Sequence, residues 1–113
     1  MAALPKHYTM FKSKYPRLWQ AHDTVSAAAQ EAGPLDEKAR ELVKLGLSIG
    51  ARMEGAVHSH TRRALEVGVS PAEIRHAVLL GLTTIGFPST MAALTWVEDI
   101  LKRPVKARRA RGK

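Results

Sequence analysis

The chain has 113 residues, 45% hydrophobic and 25% charged, with no cysteine and a formal net charge of +8. That length supports one domain around one core, and the balance of apolar to charged residues is that of a globular protein rather than a disordered one. The missing cysteines exclude disulfides, thiolate nucleophiles, cysteine-type zinc sites and iron–sulfur clusters together.

In chain order, residues 1–8 lack an apolar run, so no secretory signal is expected and the cytoplasm is the expected compartment. A first helix is predicted over about residues 16–31, where Leu18, Trp19, His22, Val25, Ala28 and Ala29 fall near helical spacing and Gly33-Pro34 stops the run. Asp36 is the predicted N-cap of a second helix running to about Met53. Its stripe is Ala39, Leu42, Val43, Gly46, Ile49 and Gly50, and Leu45 and Leu47 spread apolar character around it, so the helix is expected to be largely buried. A third helix, residues 54–67, puts Val57, His60, Thr61, Ala64 and Leu65 on one face, with Gly68 at the left-handed position that ends it. Ser70-Pro71-Ala72-Glu73 reads as a capping box with proline at the first helical position, the sharpest local signal in the chain. The helix it starts carries Ile74, Ala77, Val78, Leu79, Leu80, Leu82 and Ile85, apolar nearly all round; after a Gly86-Phe87-Pro88 turn, a fifth helix covers about residues 89–102. Residues 77–97 hold no charged side chain, yet that turn interrupts them and their threonines make a membrane span a poor reading.

No segment alternates like a strand, so the expected class is all-α, a domain of five to six helices over residues 1–101. Residues 102–113 are expected to be a disordered basic tail: seven Lys and Arg and no acid, which leaves a net of about +1 for the rest of the chain. Such a tail attracts phosphate without specificity, and a nucleic-acid partner is not the favoured reading. Helices apolar on every face exceed what so short a chain can cover, which points to an obligate homo-oligomer.

Few polar residues sit where a site could form. His60 lies on the apolar face of the third helix, and His58, two residues earlier, points to roughly the opposite side. The two cannot form the i, i+4 histidine face of a metal site, and no metal or cofactor is expected. Glu41 stands in an apolar helix, where a carboxylate must be paired, protonated or placed at a cavity. Lys38, Lys44 and Arg52 are local partners for it; alternatively it faces His60 across the two helices, and that pair could move protons near neutral pH. Arg52, Arg62 and Arg63 could hold a substrate carboxylate.

The stretches at residues 35–43 (LDEKAREL and the following Val43), 53–61 (MEGAVHSHT), 64–74 (ALEVGVSPAEI) and 86–88 (GFP) resemble the carboxymuconolactone decarboxylase / alkylhydroperoxidase D-like superfamily over about residues 35–101. The resemblance implies an all-α fold and trimers or hexamers of interlocked helices. In the peroxidase branch a Glu precedes a CxxC pair and a His four residues after the second Cys. Laying His60 on that His places Glu41 on the Glu and puts Met53 and Ala56 where the thiols would be. Thiol peroxidase chemistry needs a thiolate attack and a resolving disulfide, so this chain cannot perform it. The decarboxylase branch implies loss of CO₂ from a small carboxylated molecule, with His60 as proton donor, Glu41 orienting it, and Arg52 and His58 as substrate-binding residues. The alternative is a non-catalytic oligomeric scaffold or small-molecule binding protein that has lost the redox site.

Overall fold

A computed structural model of the chain describes residues 6–102, so the expected basic tail lies, apart from Lys102, outside the described residues. Six α-helices and one 3-10 turn make up the described residues, with no strand among them. They are α1 (Lys6–Lys14), α2 (Pro16–Glu31), α3 (Glu37–Gly50), α4 (Glu54–Glu66), α5 (Pro71–Leu79) with the 3-10 turn Leu80–Thr83, and α6 (Phe87–Leu101). The chain divides into two compact units at the α2–α3 connection, residues 1–35 and 36–113.

In the first unit, α1 was not foreseen, while α2 spans the predicted residues. Pro16 separates the two: it has no N–H to donate, and it disfavours helical backbone at Tyr15, whose ψ is 63°. Neither helix buries a residue. Phe11 packs against Tyr15 and Trp19, Trp19 against His22, and the Lys12 ammonium lies 5.9 Å from the Trp19 ring centre.

The second unit is a four-helix cluster in which α4 packs against both α3 and α6, and α6 also packs against α5. Leu45, Ile49, Val57, Ala64, Val69, Ile74, Val78, Ala93, Val97 and Leu101 form its core. Local chemistry sets its boundaries. Asp36 accepts the Ala39 amide to start α3, and Ser70 and Glu73 close the predicted capping box on α5. Gly68 takes the predicted left-handed conformation at φ 95°.

Three expectations need correction. The second helix ends at Gly50, short of Met53, and it buries Glu41, Leu45, Ser48 and Ile49, leaving Val43 and Leu47 exposed. It therefore has one core-facing stripe within the chain and is not largely buried. Helix α5 stops at Leu79, where the backbone tightens into the 3-10 turn; the Gly81 carbonyl there accepts the amides of Thr84, Ile85 and Gly86. Phe87 and Pro88 belong to the first turn of α6 rather than to a turn before it, and Gly86 at φ 91° makes the bend. No described helix is long and apolar enough to cross a membrane.

Candidate acid/base site between α3 and α4

The buried stripe of α3 repeats as Glu41, Leu45, Ser48 and Ile49, so Glu41 is set on the core side by the same periodicity that buries Leu45. On α4 the stripe is Val57, Thr61 and Ala64, with His60 half-buried at its edge. Because α3 and α4 pack side by side, these stripes bring the two polar residues together: His60 Nδ1 and Glu41 Oε1 are 3.2 Å apart. Side-chain exposure is 21% for His60 and 11% for Glu41, so water screens the pair weakly.

Burial pushes the Glu41 pKa up, but the His60 hydrogen bond and the positive charges of His60, Lys44 and Arg63 outweigh it, and the carboxyl titrates below its usual value. Glu41 is therefore a carboxylate at neutral pH and has no proton to give, so in their hydrogen bond Nδ1–H of His60 donates to it. That fixes the tautomer of neutral His60 and leaves Nε2 as the nitrogen able to meet a substrate. Of the partners proposed for Glu41 from sequence, Lys44 acts on it; Arg63 joins from α4. Lys38 instead lies against Gly68.

The other expected site residues make contacts of their own. Arg52 follows α3 with φ 59°, a conformation that glycine usually supplies, and its Nη2 donates to Ser89 Oγ at 2.6 Å in the first turn of α6. His58 points away from the dyad, with Nε2 3.0 Å from Asp99 Oδ2 on α6. Met53 is the N-cap of α4 and is 57% exposed; Ala56 is half-buried one turn before His60. The described open cleft is lined by Leu94, Thr95, Glu98, Asp99 and Lys102 of α6, and neither Glu41 nor His60 lines it. Asp99 and Arg63 were missed as partners of His58 and Glu41. No local spacing could have paired Asp99 with His58, which lie 41 residues apart.

Residues 13–99 match the family model described as the carboxymuconolactone decarboxylase family. The chain belongs to the carboxymuconolactone decarboxylase family. It is 43% identical over 60 residues to the nitrosuccinic acid decarboxylase npaB of Metarhizium robertsii, covering 53% of this chain and 42% of that protein. It is also 34% identical over 59 residues to an uncharacterized protein of Haemophilus influenzae, covering 52% of each. The chain thus spans about half the length of the curated relatives it matches. No solved structure matches it significantly. Within this family it is a member without cysteine.

Proposed function

We propose that this chain is a decarboxylase that releases CO₂ from a small carboxylated substrate by acid/base chemistry of Glu41 and His60. The observation that carries the reading is the 3.2 Å, largely buried Glu41–His60 contact in a family member with no thiol. A nitrosuccinic acid decarboxylase among its relatives suggests the substrate class: a carboxylate whose neighbouring carbon bears a strong electron acceptor.

The step is simple to balance. The bond between the substrate carbon and its carboxylate breaks, CO₂ leaves, and the electron pair moves into the acceptor, a nitro group, a carbonyl or a conjugated lactone. Protonated His60 then gives its Nε2 proton to the carbon and recovers one from water, so each turnover consumes one proton. Glu41 holds the imidazole by Nδ1, which orients the ring and leaves Nε2 to deliver the proton. Arg52 is the proposed anchor for a second substrate carboxylate, because a guanidinium binds a carboxylate bidentately. His58 was expected to join it; its contact with Asp99 supports a different role, developed below.

We also propose that the protein works as a homo-oligomer, a trimer or hexamer of this chain. Leu47, Leu80, Leu82, Phe87 and Met91 are all at least 44% exposed, more apolar surface in one small unit than a monomer needs to show. Sedimentation velocity tests this part, and Phe87→Asp should shift the species toward monomer.

The catalytic reading is tested by CO₂ release from a panel of such acids, nitrosuccinate included, by the wild type, Glu41→Gln and His60→Gln. Turnover by the wild type that falls by roughly a hundredfold or more in His60→Gln supports it, in line with the usual contribution of a positioned acid. Equal rates in all three proteins would defeat it.

A further inference from the structure

Outside the Glu41–His60 pair, one group of side chains carries more acid than its contacts require. Glu54 is the first residue of α4, His58 follows one turn later on the same face, and Asp99 comes from the last part of α6. Each offers a donor atom, and the three atoms lie within 4.8 Å of one another. His58 Nε2 already meets Asp99 Oδ2 at 3.0 Å, so one carboxylate satisfies that imidazole nitrogen and the second is surplus. Two carboxylates drawn around one imidazole repel each other, and a divalent cation removes that repulsion by binding all three. The spacing that disqualifies His58 with His60 leaves this set untouched: its i, i+4 pair is an acid and an imidazole.

We propose that Glu54, His58 and Asp99 form a binding site for a first-row divalent cation, with zinc as the probe that fits an imidazole and two carboxylates. Three protein ligands at about 2.0–2.2 Å leave the fourth corner of a tetrahedron open to water or a small anion. Donor atoms around such an ion stand about 3.4 Å apart by that geometry, so the set must draw in by about an ångström. Glu54 and Asp99 are exposed and His58 is half-buried, so rotamer changes at the surface suffice and the packed core need not move. Asp99 also lines the open cleft on α6 with Thr95, Glu98 and Lys102. Glu98 is engaged by Arg75, Oε2 and Oε1 accepting Nε and Nη2 at 2.6 and 3.0 Å, which keeps that acid out of the ligand set. The cleft gives the open corner room, with the Lys102 ammonium nearby to favour an anionic fourth ligand. The site stands independently of the decarboxylase reading, because it shares no residue with Glu41 and His60.

Isothermal titration of the full chain with zinc chloride tests it, supported by the absorption spectrum of the cobalt(II) form. The expected result is one saturable site that is weakened roughly tenfold or more by His58→Ala and by Asp99→Asn, and kept in His60→Ala. The cobalt spectrum should show tetrahedral d–d bands that disappear in His58→Ala. Circular dichroism of each variant establishes that it is folded. Absence of saturable binding at about 100 µM metal, or affinity unchanged in both His58→Ala and Asp99→Asn, overturns the proposal. Loss of binding in His60→Ala with retention in His58→Ala also overturns it, since the ion would then sit at the other histidine.

Discussion

Replacing Glu41 by glutamine separates the electrostatic content of the α3–α4 contact from its shape. The amide keeps the volume and an acceptor oxygen but loses the charge. A hydrogen bond to a charged group contributes about 1.5–3 kcal/mol, and 3.2 Å is at the long end of the useful range. Against this, the amide avoids the desolvation that burial imposes on the carboxylate. The pKa of Glu41 is lowered in spite of that burial, so attraction exceeds desolvation and the ionised form is favoured in the folded state. The net loss at pH 7 should be about 1 kcal/mol, or about 4 °C in Tm for a chain of this size. A carboxyl with a lowered folded-state pKa adds stability above its unfolded value near 4.5, and that stability disappears as pH falls through the folded value. The penalty of Glu41→Gln should therefore be full at pH 6–7 and fade below about pH 4.5. Urea denaturation at a series of pH values measures it directly. A penalty equally large in acid, or a variant more stable than the wild type at pH 7, would refute this account of the pair.

Leu45 is fully buried beside the same helix contact, and Leu45→Ala should lose about 3 kcal/mol in chemical denaturation, the mid-range for a leucine that leaves a cavity. Ser70→Ala removes the side-chain acceptor of the α5 capping box and should lose about 1 kcal/mol, with Ser70→Thr largely restoring it. Arg52→Gly should leave stability within about 1 kcal/mol of the wild type, since the strain glycine relieves in the left-handed backbone offsets loss of the part-buried Ser89 contact. The same variant should raise KM for a carboxylated substrate with little change in kcat, as expected for a binding residue; an unchanged KM would remove Arg52 from the site. The wild type should show no thiol-dependent peroxide reduction in metal-free buffer, because Met53 and Ala56 supply neither nucleophile nor resolving thiol.

What could be read from the sequence was what neighbouring residues decide among themselves. Ser70-Pro71-Ala72-Glu73 fixes the start of α5 through bonds three residues apart, and Asp36 and Gly68 work at the same range. The pairing of Glu41 with His60 could be stated as an alternative because a carboxylate in an apolar helix needs a partner and His60 lies on the readable face of the next helix. Register on α3 was harder. Leu42, Val43, Leu45 and Leu47 offer apolar residues to every side, so the sequence does not say that Leu45 and Glu41 turn inward while Leu47 turns out. Packing of α4 against both α3 and α6 decides that. Helix α1 was missed because its nine residues, Lys6–Lys14, bury nothing and show no apolar stripe. The tight packing of the 3-10 turn after α5 also escapes local reading: a side chain at Gly81 would stand 3.0 Å from Thr90 Oγ1 on α6, a contact no local pattern records.

The most direct test of the dyad's chemistry is to run the decarboxylation in D₂O and read the product by NMR. Delivery of the hydron by His60 predicts one deuterium per product at the carbon that lost CO₂, in a single configuration, and loss of both rate and stereochemical preference in His60→Gln. Deuterium distributed equally between the two faces by the wild type, or a product unchanged in rate and configuration when His60 is replaced, would contradict the assignment.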